Sequence, residues 1–365
     1  MEQANEIGQN GATDCLVDAK DVPGAASAKP LVSILVPSFN GAPWLREALD
    51  SILAQTYSNI EVLLLDDAST DETPVVAAEY GGRIKYIRQS QNMGIYDNVN
   101  VGIAAAKGEL IATYHADDIY LPRMVAEQVA YLQKHPEVGA VFASDILVDA
   151  EGREYYRMKL PDEVSGERPL SYPVVLNLLL SRKNCFLVCP TAMVRASVHR
   201  DVGVYRQDKY RNTSDTEMWL RIARRYPIAV LESHLMKYRH FHGNSSQRYH
   251  RLRTAVENHF LILDEYLERD RELATPQALV SHEAHRSKDR LWAAMSHYIK
   301  GELPAGRQAL RDAPLGPIIR SQHVQKRLLV IAAGLWVALH LPRSEWLAEQ
   351  MRQRWHVKRP PRART

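Results

Sequence analysis

The chain has 365 residues, of which 45% are hydrophobic and 24% are charged, and its formal net charge is +3. This composition is ordinary for a globular protein and excludes wholesale disorder. The near balance of 46 basic and 43 acidic residues gives no indication of a nucleic-acid partner. The length predicts one large α/β domain with a smaller appendage.

The two ends of the chain differ in composition from the segment between them. Residues 1–30 are polar and lack the apolar core of a secretory signal, so we expect a disordered tail on a cytoplasmic protein. Residues 346–365 are predicted to form a basic tail. The three cysteines are too few for a disulfide framework and are interpreted as thiols: Cys15, Cys185 and Cys189.

Short apolar runs alternate with helical patterns in the first part of the chain. The patterns predict strands at residues 31–37, 60–65, 84–88 and 109–114, and helices at 44–55, 73–80 and 98–106. This alternation is typical of repeated βαβ units, which build an open, mainly parallel sheet flanked by helices. The predicted fold class is therefore α/β.

The pattern changes after about residue 250. Long amphipathic stretches at residues 255–272 and 277–300 predict a helical C-terminal region over residues 251–345. Within it, the apolar stripe from Leu291 to Tyr298 is interpreted as core rather than as a platform for carbohydrate.

An uncharged apolar run covers Leu328 to Leu341, about 14 residues. A membrane-spanning helix needs roughly 20, so no span is predicted. Basic residues on both sides leave two interpretations open: a helix lying on an anionic membrane surface, or a buried helix followed by a solvated tail. Peripheral contact with the inner face of the membrane is thus one of two alternatives.

Two acidic pairs follow predicted buried strands, Asp66-Asp67 and Asp117-Asp118. Open α/β sheets bind ligands outside the carboxyl ends of their strands, where these pairs fall. Paired carboxylates are costly to bury unless a cation or ligand uses them, and oxygen ligands suit Mg²⁺ or Mn²⁺. Any single aspartate could instead cap the following helix, but capping does not account for both pairs.

Four sequence blocks occur in a familiar order: VSILVPSFN, LLLDDASTDET, QNMGIYDNVNVGIAAAKGELIATYHADD and TSDTEMWLRIA. Over residues 31–245 the chain resembles the inverting family 2 glycosyltransferases of the GT-A fold. The resemblance implies a GT-A domain over residues 31–250. It also implies transfer of a sugar from a nucleotide-diphosphate sugar to a hydroxyl of a glycan or lipid-linked saccharide. Among such donors, a UDP-sugar is the favoured one.

The resemblance also implies roles for single residues. Asp117 and Asp118 would hold the Mg²⁺ or Mn²⁺ ion, while His115 replaces the first acid of the family's metal motif and could donate to a ribose or diphosphate oxygen. The residues implied in donor binding are Pro37, Ser38, Phe39, Asn40, Asp67, Gly94, Asn100, His115 and Asp117. Ser38 and Asp67 would meet the uracil and ribose end of the donor.

Asp215 is the implied catalytic base, with Ser214 at the position of the family's preceding glutamate. The alternative for Asp215 is a carboxylate stabilised at the start of a helix. The run KYRHFHGNSS resembles the family's terminal Arg-x-His loop, in which His242 would face the metal or the diphosphate, with His240 as second choice.

Two other classes of protein share such a sheet, namely a non-catalytic nucleotide- or carbohydrate-binding module and a nucleotidyltransferase. A nucleotidyltransferase would carry a basic, glycine-rich phosphate loop after the first strand, whereas PSFNGAPWL has no Lys or Arg before Arg46. A module without activity would be expected to lack the base, and Asp215 is present. Sugar transfer is therefore the favoured prediction.

Overall fold

The computed structural model describes residues 29–184, 186–240 and 252–340, together with 346, 348–350 and 353. The predicted N-terminal tail up to residue 28, Leu341 and almost all of the predicted basic tail lie outside the described residues.

One mixed β-sheet forms the framework, with nine strands among the described residues: β1 (Val32–Ser38), β2 (Ile60–Asp66), β3 (Lys85–Arg88), β4 (Leu110–Thr113), β5 (Ile119–Tyr120), β6 (Ala140–Val148), β7 (Glu154–Arg157), β8 (Met193–Arg195) and β9 (Ile228–Arg239). Their order is β3-β2-β1-β4-β8-β6-β9-β5, and β7 pairs with β6. In this part of the chain six strands share one direction, while β5, β7 and β8 run against it. The predicted open, mainly parallel α/β sheet is confirmed.

The helices of the described segments are α1 (Ala42–Leu53), α2 (Thr73–Glu79), α3 (Ile95–Ala105), α4 (Met124–Lys134), α5 (Tyr172–Arg182), α6 (Ala196–Val202), α7 (Gln207–Tyr210), α8 (Ser214–Ala223), α9 (Asn258–Asp270), α10 (Pro276–Lys300), α11 (Leu303–Arg311), α12 (Gly316–Arg320) and α13 (Leu328–His340). Successive strand residues enter two different cores, one on each face of the sheet, because side chains alternate along a strand. Ile34 and Val36 pack into the core with α1, α2 and α4. Leu35 packs into the core with α3, α5 and α8.

The C-terminal helices divide between a core of the sheet and two smaller clusters of their own. Ile262 and Leu263 of α9 belong to the same buried cluster as Phe142 of β6 and Trp219 of α8. Farther along the chain, α10 packs against α12 and α13, where its Leu291 joins a separate cluster. Thus α9 completes the domain built on the sheet, whereas α11 to α13 follow it as a helical extension.

The long helix α10 has clear end signals. Thr275 caps its start by accepting a hydrogen bond from Ala278 N at 3.2 Å, and Gly301 ends it in the left-handed conformation. The interpretation of its apolar stripe as core is confirmed for Leu291 and Tyr298, each 1% exposed, whereas Trp292 is 42% exposed. Among the described helices, none is long and apolar enough to cross a bilayer.

Candidate active site

The candidate site lies at the carboxyl edge of three parallel strands. Ser38 at the end of β1 is in register with Asp66 at the end of β2, and Leu35 is in register with Thr113 at the end of β4. The turn after β1, the acidic pair after β2 and the 115–118 loop after β4 therefore share one edge, as the sequence predicts.

Asp67 holds the start of α3. Its carboxylate accepts hydrogen bonds from Met93 N at 2.8 Å and Gly94 N at 2.9 Å. Gly94 has φ +90, and a Cβ there would lie 2.4 Å from Gln207 Nε2, so a side chain at this position would be both strained and obstructed. Each carboxylate oxygen retains one further acceptor site, which leaves Asp67 able to bind a donor such as a nucleobase N–H.

The first acid of this pair has a different environment. Asp66 is fully buried and accepts hydrogen bonds from Ser69 N at 2.8 Å and from Arg88 Nη1 at 3.1 Å. The Asp66 carboxylate thus orders the loop that precedes α2, but it does not cap that helix.

The turn after β1 contains four residues predicted to bind the donor. Pro37 is buried within β1, and Phe39 is 52% exposed at the edge. Asn40 has φ +53 and its side chain accepts a hydrogen bond from Thr70 N at 2.8 Å, which ties the turn to the loop after β2. The buried Ser38 Oγ has no hydrogen-bond partner among the described residues. Ser38 is therefore the residue of this turn that best fits a contact with a ligand.

His115, Asp117 and Asp118 bring their ligand atoms to within 4.8 Å of one another. His115 Nε2 and Asp118 Oδ2 are buried and make no hydrogen bond within the described part of the chain. Unpartnered buried polar atoms are rare in proteins and call for a ligand. One imidazole nitrogen and two carboxylates are a donor set that fits a divalent cation.

The protonation states of this cluster also fit a bound cation. Burial raises the pKa of the Asp118 carboxyl well above its usual value, and the neighbouring Asp117 raises it further. Burial lowers the pKa of the His115 imidazole, which keeps its ring neutral and its lone pair available. A bound cation would favour the ionised form of Asp118 and use that lone pair.

Arg239 is a supporting residue to which sequence reasoning gave no role of its own. It is 2% exposed, its backbone N donates to Asp118 Oδ1 at 2.8 Å, and its Nε donates to Asp117 O at 2.9 Å. It also forms an ion pair with Glu47 of α1. The end of β9 therefore fixes the loop that carries both aspartates. The sequence pattern that could have indicated Arg239 is an arginine at the end of a long run with strand character.

Asp215 lies in the first turn of α8, beside Tyr96, Cys189 and Tyr205. Burial raises the pKa of its carboxyl to about 6, against the opposing effect of hydrogen bonds from Thr216 and Tyr96. The backbone bond from Thr216 N measures 2.7 Å. Tyr96 belongs to the first turn of α3, so the same helix start contacts Asp67 and Asp215.

Gln207 was missed by the sequence analysis. Its Oε1 accepts from Tyr96 N at 2.8 Å and its Nε2 donates to Asp97 Oδ2 at 3.0 Å, so it clamps the start of α3 to α7. Asn100, predicted to bind the donor, exchanges two hydrogen bonds of 2.9 Å with the backbone of Tyr205. Its amide is thus engaged in a structural contact, and donor binding by Asn100 stays a prediction.

The predicted metal-facing histidine His242 lies outside the described residues. The second choice, His240, directly follows β9, and its Nδ1 lies 2.9 Å from Tyr155 Oη. Its backbone N donates to Val148 O at 2.8 Å. The choice between the two histidines stays as the sequence left it.

Comparison with known proteins bears on the same segment. Residues 33–203 match the sequence model of glycosyl transferase family 2. The chain is 35% identical over 222 residues to an uncharacterized glycosyltransferase of Rickettsia felis, covering 60% of this chain and 35% of that protein. It is 32% identical over 199 residues to an uncharacterized glycosyltransferase of Rickettsia prowazekii, covering 53% of this chain and 59% of that protein. The chain thus spans well under two thirds of the length of these relatives.

The solved structure of S. aureus TarS 1-349 in complex with UDP-GlcNAc is similar in fold, with a TM-score of 0.56 and 20% sequence identity. The similarity covers 88% of this chain and 91% of that one, so it includes the helical extension. The matched segment contains the ends of β1, β2 and β4 with the pairs Asp66-Asp67 and Asp117-Asp118, whereas Asp215 lies beyond it. Residues 33–203 form a glycosyl transferase family 2 domain.

Proposed function

We propose that the protein is an inverting glycosyltransferase, which transfers a sugar from a nucleotide-diphosphate sugar to a hydroxyl of a glycan or lipid-linked saccharide. The observation that carries the proposal is Asp215, a carboxylate with a pKa of about 6 beside the helix start that also binds Asp67. A general base works best when its pKa lies near the working pH.

The donor would lie along the carboxyl edge of the sheet. Ser38 Oγ lacks a partner among the described residues, and Asp67 retains acceptor capacity, which supports contacts from both to the uracil and ribose. TarS, which shares the fold, has been crystallised with UDP-GlcNAc. A UDP-sugar is therefore the first donor to test.

The proposed reaction is a single displacement. Asp215 accepts the proton of the acceptor hydroxyl while the acceptor oxygen forms a bond to the anomeric carbon. The bond from that carbon to the phosphate oxygen breaks on the opposite face, and the nucleoside diphosphate leaves with the electron pair. No covalent intermediate with the protein is required, which gives inversion.

Asp117, Asp118 and His115 are the residues that would hold a divalent ion, Mg²⁺ or Mn²⁺. Such an ion supplies positive charge to the leaving diphosphate. Arg239 holds the loop that carries both aspartates in place, through its backbone N–H to Asp118 and its guanidinium to the backbone carbonyl of Asp117.

Peripheral membrane contact through α13 is also part of the proposal. Its inner face is buried at Leu328, Ala332, Leu335 and Leu339, whereas Val330 is 75% exposed and Trp336 is 59% exposed. Arg327 stands exposed at the start of the helix. An exposed apolar face next to basic residues is typical of helices that lie on anionic lipid.

The test is donor turnover. The protein is incubated with UDP-, dTDP- and GDP-sugars, Mg²⁺ or Mn²⁺ and candidate saccharide acceptors, and the release of free nucleotide is measured. We expect release with a UDP-sugar that depends on both the metal and the acceptor. Binding of UDP without turnover on any acceptor would favour the non-catalytic module, and release of pyrophosphate from a nucleoside triphosphate would favour the nucleotidyltransferase.

A further inference from the structure

A second concave site lies between the end of α5 and the helices α9 and α10. It is a cavity of about 300 Å³ whose charged lining includes Lys183, Arg253, Glu257, Lys288 and Asp289. This volume is at the lower end of the range for small-molecule sites. None of these residues belongs to the candidate active site.

The charges that line the cavity do not balance. Lys183 Nζ pairs with Glu257 Oε2 at 2.5 Å, and Arg253 pairs with Asp289. Lys288 forms no ion pair within the described residues, so three cations face two carboxylates. Partial burial lowers the pKa of Lys288, and the positive charge of Lys183 adds to this effect. One excess positive charge is therefore available to an anion.

The Glu257 carboxylate stays ionised beside its two cationic neighbours. Burial alone would raise the pKa of Glu257, but Lys183 and Arg253 hold it below its usual value. Glu257 is thus ionised at neutral pH, and the net charge of the lining stays positive.

Two uncharged groups complete the lining. His285 Nε2 lies 2.8 Å from Ser181 O and must carry the proton to donate to that carbonyl. Because burial lowers the pKa of His285 to about 4, the ring is neutral and its buried Nδ1 is an acceptor, without a partner among the described residues. Trp292 borders the cavity with 42% of its surface exposed. An acceptor nitrogen and an indole face suit a sugar, which offers hydroxyls and C–H groups.

The backbone is strained at Lys183, in the wall of the cavity. Lys183 has φ +60 and ψ −168, a region that is essentially reserved for glycine and costs other residues of order 1–3 kcal/mol. Such strain concentrates at ligand-binding positions. Here it sets a lysine at the wall of the cavity.

The cavity is close to the catalytic base along the chain. Cys189, whose thiol interacts with Asp215, follows Lys183 by six positions in the sequence. Fully extended, that segment spans at most about 22 Å. A saccharide of several units could therefore present one hydroxyl at Asp215 while another part of it enters the cavity.

We propose that this cavity binds a phosphate group carried by the saccharide acceptor, at a subsite away from the reacting hydroxyl. Lys288 supplies the unpaired charge, Lys183 and Arg253 line the phosphate side, and Trp292 packs on the attached sugar. The proposal rests on the proposed function, since it deepens the description of the acceptor.

The test uses glucose 1-phosphate as the probe, with inorganic phosphate and glucose as comparison ligands. Binding to the full-length protein is measured by calorimetry in EDTA and without donor, so the result does not depend on turnover. We expect saturable binding of glucose 1-phosphate, weaker binding of phosphate and none of glucose. Binding must persist in Asp117→Ala, which separates the cavity from the donor site.

Lys288→Gln should weaken glucose 1-phosphate binding roughly tenfold, the effect of removing one charge-assisted hydrogen bond. Lys288 is exposed enough that folding is not at risk, and an unchanged Tm verifies this. Arg290→Gln is the matched control, because it removes a positive charge from the same helix outside the cavity. Trp292→Ala should bring the affinity for glucose 1-phosphate down to that for phosphate.

No saturable binding by the wild type, or equal affinities of Lys288→Gln and the wild type, would overturn the proposal. Equal binding of phosphate and glucose 1-phosphate, unaffected by Trp292→Ala, would overturn its saccharide part. If the probe binds as expected but no nucleotide sugar is turned over, the proposed function fails while the anion site stands.

Discussion

The carboxyl edge of the sheet and the cavity beside α10 both gather charged side chains, but with opposite charge and by different means. At the edge, Asp67 and Asp118 are held by backbone N–H groups, and no lysine or arginine side chain is recorded as an ion-pair partner of either among the described residues. In the cavity, side chains on α10 and its neighbours pair with each other and leave one cation over. In the two proposals the edge would bind a cation, and the cavity would bind an anion.

The difference teaches where each site can be modified. Strand register sets the backbone of the acidic edge, but the Asp67 and Asp118 side chains also accept backbone hydrogen bonds, so replacing either should affect the start of α3 or the end of β9 as well as the chemistry. The cavity depends on contacts between residues distant in sequence, such as Lys183 and Glu257, so its geometry is more sensitive to changes on either partner.

The largest expected effect tests the acidic edge directly. Asp215→Asn should lower kcat by about 10²- to 10⁴-fold, because the amide cannot accept the acceptor's proton. UDP affinity, measured by calorimetry, should stay near the wild-type value since the base does not hold the nucleotide. Asp208→Asn, an exposed change on α7, serves as control. An unchanged kcat in Asp215→Asn would remove this residue from catalysis.

The need of the edge for a cation is tested by two variants. Asp117→Ala should weaken UDP binding in Mn²⁺ by about 10- to 100-fold, with the exposed Asp162→Ala as control. His115→Asp should shift the affinities for Mg²⁺ and Mn²⁺ upward together, because carboxylate oxygen suits both ions whereas imidazole suits Zn²⁺ and Ni²⁺. Titration of both ions into each protein measures the shift. Wild-type affinities in Asp117→Ala would contradict the assigned metal site.

Burial of the base should be visible in stability as well as in rate. The pKa of Asp215, raised to about 6, lies above its value in the unfolded chain, so the ionised carboxylate destabilises the folded state above pH 6 and the penalty disappears below about pH 4. Asp215→Asn should therefore be more stable by about 3 kcal/mol at pH 8 and equal to the wild type at pH 4. Urea unfolding at both values measures this. Equal stability at pH 8 would refute the raised pKa.

The same group should shape the pH profile of turnover. Because the base must be deprotonated, kcat should fall about tenfold for each pH unit below 6 and level off above 7. A flat profile between pH 5 and 7 with a measurable chemical step would argue against a carboxylate base of this pKa.

The smallest expected effect concerns the outer face of α13. Val330→Gln with Trp336→Gln should reduce sedimentation with anionic liposomes at low salt about threefold, since the face that would enter the interface becomes polar. Val75→Gln, an equally exposed valine on α2, is the control. Equal sedimentation of all three proteins, or none by any of them, would return α13 to the role of a packed helix.

Sequence reasoning succeeded where a pattern is local. The predicted strands at residues 31–37 and 60–65 correspond to β1 and β2 within one residue at each end, and the predicted helix 277–300 corresponds to α10. The apolar runs and their polar ends encode the parallel part of the sheet. The short antiparallel strands β5 and β8 were not predicted, because two or three residues carry no periodicity.

The site divides in the same way. Asp67, Asp117 and Asp215 belong to contiguous motifs, so they could be assigned a role before the fold was known. Gln207 and Arg239 act through partners more than 100 residues away along the chain, and single positions of this kind have no local signature. The cavity beside α10 could not be predicted from the sequence either, because its charged side chains come together only after α5, α9 and α10 have packed.

The burial of Ile262 and Leu263 in the core with Trp219 has a consequence for synthesis. A ribosome releases the strands and the acidic loops first, yet the hydrophobic face that α9 covers stays open until residues past 270 have left the exit tunnel. During that interval the nascent chain exposes apolar surface, which is when chaperones bind and aggregation begins. The helix that follows the active-site residues in sequence is thus the one whose arrival protects them.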